Sequence, residues 1–221
     1  MVETIQNIAI WAVPVLVAIV FHEVAHGYVA NYLGDPTAAR MGRLTLNPLA
    51  HIDPFGTVLL PLLLIVVHSP FVFGYAKPVP VNFHNLRHPK RDMIWVALAG
   101  PLTNLALAFG SVMIWKLLLS YDEPLSAGAS SSIAILSPLA DMAKTSVIMN
   151  VVLAVFNLIP IPPLDGGRVL VGLLPEPQSS AVARVEPFGF LIVIALLMTD
   201  VLDRLMGPAI RFLLGIFNWL V

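Results

Sequence analysis

Hydrophobic residues in this chain form long stretches that carry almost no charge, instead of alternating with polar residues as they do in a soluble domain. Each of the longest stretches is close to the roughly 20 residues that a bilayer-spanning helix needs. They lie near 5–33, 93–120, 146–163 and 187–206. The pattern predicts a polytopic membrane protein built from helices.

Two further apolar stretches are less regular. The stretch 55–73 is interrupted by Pro61 and by a His-Ser-Pro run, and the stretch 208–221 begins with Pro208 and is short for a span. The predicted fold is therefore an all-α polytopic membrane protein with about four to six transmembrane segments, depending on how these two stretches are placed.

Composition supports this prediction. Only 11% of the residues are charged and 58% are hydrophobic, whereas a soluble domain has about 25% charged residues. The formal net charge is −1 and no basic patch is present, which argues against nucleic-acid binding. The chain contains no cysteine, so disulfides and thiolate metal ligands are excluded. The first stretch is too long for a cleaved signal peptide and lacks its positive N-terminal region, so we expect it to be retained.

Charged residues in the connecting segments predict the orientation. Two arginines lie in the segment 34–54 and four lysine or arginine residues lie in 77–92, whereas 121–145 has Asp122 and Glu123 at its start. Since short basic loops face the cytoplasm, both basic segments are predicted to be cytoplasmic and 121–145 external. This arrangement requires 55–73 to enter and leave by the same face, as a re-entrant hairpin whose irregular backbone is buried by protein. The alternative is a full span with the second basic segment outside.

Two histidines and a glutamate interrupt the first apolar stretch, in "IVFHEVAHGY". Residues four apart lie on one face of a helix, so His22 and His26 can reach the same ion, with Glu23 beside them as a general base. In the alternative, the histidines form internal hydrogen bonds and Glu23 pairs with an arginine. Burying three polar side chains within a membrane is energetically costly, so their presence there usually indicates a function. The spacing therefore indicates a catalytic zinc site.

A catalytic zinc ion usually has three protein ligands. Asp165, in "FNLIPIPPLDGGRV", is a better candidate for the third ligand than the downstream glutamates. Prolines break the apolar stretch before it, and Gly166 and Gly167 allow close backbone approach. Its alternative role is a helix cap. His51 is the rival ligand, since imidazole is also a common zinc ligand.

Five motifs together resemble the site-2 proteases, the intramembrane zinc metalloproteases, and specifically the short bacterial branch without a PDZ or C-terminal regulatory domain. The motifs are "FHEVAHGYVA", "GRLTLNPLAHIDPFGT", "FGYAKPVPVN", "AGPLTN" and "FNLIPIPPLDGGR", in the order of the family and covering about residues 19–170. The resemblance implies one zinc ion per chain, held by His22, His26 and Asp165, with Glu23 as the catalytic base. It also implies that Asn157 lies near the substrate, and the family's Gly-Pro-x-x-Asn motif falls here on Gly100, Pro101 and Asn104.

The resemblance implies that residues 1–221 form a single integral membrane protease domain. Its catalytic core is expected at about 8–170 and C-terminal helical segments at about 187–221. The expected location is the bacterial inner (plasma) membrane, as a multi-pass protein with the site towards the cytoplasm. Without an appended domain, we expect a partner or the membrane itself to select the substrate.

The expected partners are the lipid bilayer and a transmembrane segment of a membrane-protein substrate. A substrate helix must unwind before it is cut, and its freed backbone needs new partners. The segment Arg43, Leu44, Thr45 and Leu46 is strand-compatible, so it predicts a short membrane-associated β segment that binds substrate by strand addition. It is otherwise an ordinary connector.

The roles of the two asparagines stay open at this stage. Asn157 and Asn104 could bind substrate or stabilise the oxyanion, or could serve helix packing alone. Two other classes of function also remain. One is a non-proteolytic metal protein (transporter or sensor) in which Glu23 is a fourth ligand, and the other is a scaffold that binds membrane helices.

Overall fold

Helices account for most of the residues that the computed structural model describes, which are 2–68, 74–125, 130–199 and 201–221. The helices in chain order are α1 (Val2–Tyr32), α2 (Thr37–Arg40), α3 (Leu60–Val66), α4 (Pro89–Leu125), α5 (Ser130–Asn157), α6 (Asp165–Leu173), α7 (Gln178–Ala183), α8 (Glu186–Leu197) and α9 (Val201–Leu220). Short helical turns cover Pro48–His51, Pro54–Leu59 and Phe83–Asn85. Part of the predicted stretch 55–73 (69–73) and part of the predicted loop 121–145 (126–129) lie outside the described residues.

Three of the described helices are long and apolar enough to cross a membrane: Ile5–Tyr32, Pro89–Tyr121 and Leu136–Asn157. They correspond to the first three of the four long apolar stretches, which confirms that the chain is helical and of membrane type. Two shorter apolar helical stretches are Pro54–Val66 and Glu186–Leu197. The total of four to six segments therefore stays a prediction.

Two predicted boundaries are wrong. The loop expected at 121–145 is mostly helix, because α4 continues to Leu125 and α5 begins at Ser130. Acidic and lysine side chains mark the edge of the bilayer but do not end a helix, which continues beyond the lipid. Likewise Pro208 lies inside α9 instead of opening it. Leu202 and Phe217 are buried on either side of this proline, so packing of one continuous face offsets the hydrogen bond that proline removes.

The core lies where α4 packs between its neighbours. Towards one end, Ala108 and Val112 of α4 pack on Val147 and Val151 of α5, and Phe217 of α9 closes this cluster. The small size of these residues lets the helices approach closely, which is the usual means of packing in a membrane. Towards the other end, α1 packs on α4, and this is where the polar residues of the first span are buried.

A buried carboxylate ties the two basic connecting segments together. Asp35 follows α1, has no exposed surface, and accepts hydrogen bonds from the backbone N–H of Asn82 at 2.6 Å and from the side-chain amide of Asn85 at 2.9 Å. Thr37 donates to the same carboxylate with its N–H and its hydroxyl. Burial raises the pKa of Asp35, but these donors outweigh burial and hold its pKa below the ordinary value. The end of α1 and the approach to α4 thus lie side by side.

The predicted β segment is not formed within this chain. Residues 43–47 have no regular secondary structure, and no β-strand occurs among the described residues. The carbonyl of Thr45 accepts a hydrogen bond from Nε2 of His51 at 2.8 Å. The Thr45 hydroxyl oxygen accepts a hydrogen bond from the backbone N–H of Asn47. Local side-chain bonds of this kind compete with strand pairing.

Candidate metal centre

A cavity of about 420 Å³ lies between the long helices and the segment before α4. Its polar lining comes from His22, Glu23 and His26 of α1, Asn157 of α5, and Asp165 and Arg168 of α6. The rest of the lining is mostly apolar and includes Val79, Val96 and Phe190. The polar residues therefore meet in a confined space within the bundle.

Three of these side chains converge on one point. Nε2 of His22 and Nε2 of His26 are 3.0 Å apart, and Oδ2 of Asp165 lies 3.1 Å from the first and 3.3 Å from the second. All three residues are buried. Ligand atoms of a tetrahedral zinc ion lie about 3.3 Å apart, since the bonds are about 2.0–2.2 Å long. The triangle has the size that such an ion requires.

The hydrogen bonds behind the rings determine which nitrogens carry protons. Nδ1 of His26 lies 2.7 Å from the carbonyl oxygen of Val96, which can only accept, so this Nδ1 carries the proton. Nδ1 of His22 lies 2.6 Å from Oδ1 of Asn104. The amide nitrogen of Asn104 donates to the carbonyl of Ala18, which fixes the orientation of the amide and makes Nδ1 of His22 the donor. Both Nε2 atoms therefore present lone pairs.

These lone pairs show that a cation fits the site. With both ring protons on Nδ1, the two Nε2 atoms and the carboxylate of Asp165 are three acceptors that face one another. Oδ2 of Asp165 is buried and has no hydrogen-bond donor among the described residues. Mutually facing acceptors in a buried site repel unless a cation lies between them. Two imidazole nitrogens and one carboxylate oxygen are a set of ligand atoms that suits zinc.

Glycines leave the space that this arrangement needs. A Cβ added at Gly100 of α4 would lie 2.5 Å from Nε2 of His26 and 2.6 Å from Nε2 of His22. Gly166 and Gly167 fit against the backbone of residues 158–162, where a Cβ would overlap main-chain atoms. This contact holds the start of α6, and hence Asp165, against the proline-rich turn that follows α5. The close approach predicted for the paired glycines is confirmed.

A buried polar chain continues from His22 into the bundle. Nδ2 of Asn104 donates to Oδ1 of Asn150 at 2.9 Å, and Asn150 donates in turn to Ser146, one turn earlier on α5. The Ser146 hydroxyl pairs with that of Ser111 on α4 at 2.8 Å. Sequence reasoning missed Asn150. Its signal was an amide in an apolar span, but its partner depends on how α4 and α5 align.

Glu23 lies next to the triangle without belonging to it. It lines the same cavity, and its Oε2 accepts a hydrogen bond from the backbone N–H of Val79 at 2.8 Å. The second oxygen, Oε1, has no hydrogen-bond partner among the described residues. One oxygen of the carboxylate is thus held by a hydrogen bond on the wall of the cavity. The other oxygen is left to accept a proton, as a general base requires.

The other predicted site residues lie in different surroundings. Asn157 lines the cavity, but its Nδ2 donates back to the carbonyl of Leu153 at 3.0 Å. His51 does not belong to the metal-sized cluster found among the described residues. Arg43 is buried and binds backbone carbonyls of the segment before α4. Leu44 and Thr45 are half-buried and Leu46 is exposed.

Comparisons with known proteins agree with this geometry. A sequence model described as "Peptidase family M50" matches residues 10–199. The "Putative zinc metalloprotease YwhC" of Bacillus subtilis is 36% identical over 199 residues, which cover 90% of this chain and 84% of the relative. "Putative zinc metalloprotease Rip2" of Mycolicibacterium smegmatis is 35% identical over 190 residues, covering 86% and 66%. The protein of that name in Mycobacterium tuberculosis is 29% identical over 224 residues, covering 99% and 77%. No solved structure matches with significance.

Proposed function

We propose that this chain cleaves peptide bonds within or near transmembrane segments of other membrane proteins, because it belongs to peptidase family M50, the site-2 protease family. It is a membrane metalloprotease of a family that uses zinc. The observation that carries the proposal is the triangle of unprotonated metal-ligand atoms beside Glu23. The triangle lies inside a cavity among helices that can cross a membrane.

Each residue of the site has a separate proposed role. His22, His26 and Asp165 would hold the zinc ion through the three converging atoms. When bound, zinc lowers the pKa of water towards ~7 and polarises the scissile carbonyl. Glu23 accepts the proton of the attacking water and delivers it to the leaving amine. Because Glu23 is outside the triangle, its carboxylate is available for this transfer.

The two asparagines divide between positioning and substrate binding. Every polar atom of the Asn104 amide is directed at His22, Ala18 or Asn150, so we assign Asn104 to orienting His22 and not to substrate. Asn157 lines the cavity, and its Oδ1 makes no hydrogen bond within the described part of the chain. It is the asparagine that can bind the substrate backbone.

Substrate unwinding needs a surface that binds extended backbone. The segment 43–47 has no strand partner of its own among the described residues and lies beside α1, where Leu44 approaches Gly27. We propose that unwound substrate pairs with it by strand addition. A Thr45→Pro variant removes a backbone donor there and would slow cleavage without loss of zinc.

The proposed topology places the site near the cytoplasmic face of the cell membrane. Both basic segments are linked through Asp35, so the chain between α1 and α4 starts and ends at one end of the bundle. Since basic loops favour the cytoplasm, this end is the cytoplasmic one. We therefore propose that 54–66 enters the membrane as part of a re-entrant hairpin. The polar site at this end is within reach of water.

A metal analysis combined with a cleavage assay tests the function. The purified protein, given one helical membrane substrate, should hold one zinc ion per chain and lose cleavage on chelation. Glu23→Gln should keep the zinc and abolish cleavage, because the amide cannot accept the proton. Retained cleavage would refute the mechanism, and lost zinc would make Glu23 a ligand, as in a transporter or sensor. Wild-type protein that binds the substrate without cutting it would indicate a scaffold.

The third ligand has its own matched pair of variants. Asp165→Ala removes the only carboxylate of the triangle and should lower zinc occupancy, because two imidazoles alone bind zinc weakly. His51→Ala is the control, since His51 is a histidine outside the cluster and its loss should leave zinc content unchanged. The opposite pattern would transfer the role of ligand to His51.

A further inference from the structure

We propose that the backbone N–H of Val79, held in place by the guanidinium of Arg43, positions Glu23 for proton transfer. The inference rests on the proposed function, in which Glu23 is the base. Its starting point is the 2.8 Å hydrogen bond from the N–H of Val79 to Oε2 of Glu23, which links two positions 56 residues apart in the chain. We term residues 77–80 the clamp segment.

The sequence of the clamp segment makes this N–H distinctive. Val79 lies between Pro78 and Pro80, and proline has no N–H, so Val79 carries the one amide donor among these three residues. A residue that precedes proline is restricted to extended conformations, and proline itself has a fixed φ. The segment is therefore stiff, and the N–H of Val79 is directed at the carboxylate of Glu23.

The side chain of Val79 fixes the segment against α1. Val79 is buried, and its Cγ1 lies 2.7 Å from where a Cβ on Gly27 would stand. Gly27 follows His26 directly, so the valine packs into a space that a larger residue at this position would fill. The donor and the acceptor of the hydrogen bond are thus held on adjoining surfaces.

Arg43 holds the clamp segment from the other side. Its Nη2 donates to the carbonyl of Lys77 at 2.9 Å and to that of Pro78 at 3.4 Å. Arg43 is buried, and it has no ion pair with an acidic residue in the described part of the chain. Gly42, with φ of +65°, ends the turn after α2 directly before Arg43. Within the described residues this buried guanidinium binds only backbone carbonyls, so its role is to position that backbone.

The consequence concerns the orientation of the carboxylate. With Oε2 bound to Val79, the plane of the carboxylate is restricted and Oε1 is left for the proton that Glu23 takes up. A glutamate has three rotatable bonds, so an unrestrained side chain would spend much of its time in unproductive orientations. Misplacement of a catalytic group by about 1 Å can cost about a hundredfold in rate. Arg43 and Val79 are accordingly positioning residues, and Glu23 is the catalytic residue.

Val79→Pro tests the hydrogen bond, because it removes the N–H from a position already restricted to extended conformations. Full-length purified protein is assayed for zinc content and for kcat and KM on a helical membrane peptide. We expect kcat to fall about 10- to 100-fold, with one zinc per chain and KM changed by less than about twofold. Val79→Ala keeps the N–H and should recover most of the lost kcat. Wild-type kcat in the proline variant, or an equal loss in the alanine variant, would overturn the proposal.

A second test of the proposal uses a substitution of Arg43. Arg43→Ala should lower kcat with zinc content and KM unchanged, and combining it with Val79→Pro should give no loss beyond that of the proline variant, because both act on the same carboxylate. Losses that multiply would show that Arg43 acts elsewhere. If Val79→Pro does not fold, unchanged kcat in Arg43→Ala refutes the proposal by itself. Failure of the proposed function is distinguishable, since wild type and Val79→Ala would then not cleave either.

Discussion

Removing the amide that orients His22 should weaken metal binding more than it weakens the fold. In Asn104→Leu the side-chain volume is nearly kept, but Nδ1 of His22 loses its acceptor at 2.6 Å. The ring can then carry its proton on Nε2, the atom that faces His26 and Asp165. Before binding zinc, it must return to the other tautomer and orientation.

The expected magnitude follows from the two kinds of bond that Asn104 makes. Loss of a hydrogen-bond partner behind a metal-bound histidine typically costs about 10- to 100-fold in metal affinity, which is about 1.4–2.7 kcal/mol. The bonds from Asn104 to Ala18 and Asn150 contribute to the fold instead. Such interhelical bonds in a membrane are worth about 0.6 kcal/mol each on average, so the loss of unfolding free energy should be about 1 kcal/mol.

Asn150→Leu is the matched control. It breaks the bond to Asn104 and those to Ser146 but leaves His22 bound to Asn104. It should therefore lower thermal stability to a similar extent while changing the zinc Kd by less than about threefold. Competition with a chromophoric chelator measures the zinc Kd, and thermal unfolding of the zinc-free protein measures stability. Equal weakening of zinc binding in both variants would show that the polar chain acts through the fold, and an unchanged Kd in Asn104→Leu would refute the orienting role.

Three further predictions test separate features. Gly100→Ala places a methyl group 2.5 Å from the metal-facing nitrogen of His26 and should abolish zinc binding, whereas Gly110→Ala, where a Cβ meets nothing within 4 Å, should not. A single cysteine introduced near Asn85 should resist an impermeant thiol reagent on intact cells, and labelling there would refute the re-entrant hairpin. Asp35→Asn should lower thermal stability at pH 7. Because the pKa of Asp35 is below its ordinary value, its contribution is present above the unfolded pKa of about 3.9 and disappears as pH falls through the folded pKa. The difference in Tm from wild type should shrink in acid.

Features that depend on local geometry could be predicted from the sequence. Length and hydropathy predicted membrane-spanning helices, and three helices in the described part of the chain qualify. The spacing of His22 and His26 fixes their relation through the pitch of one helix. Glycines beside Asp165 predicted the close backbone contact that the structure shows. Each of these inferences needs only neighbours in the chain, so no tertiary information was necessary.

The sequence was less informative where a helix ends or where distant segments meet. The ends of α4 and α5 were misplaced because polar residues mark the membrane surface, not the last helical residue. The contacts of Asn104 with Asn150 and of Val79 with Glu23 join positions 46 and 56 residues apart. Both depend on how α1, α4 and α5 align and on where the segment before α4 lies. Many alignments bury the same apolar surface, and packing in three dimensions selects the one that also satisfies these buried polar groups.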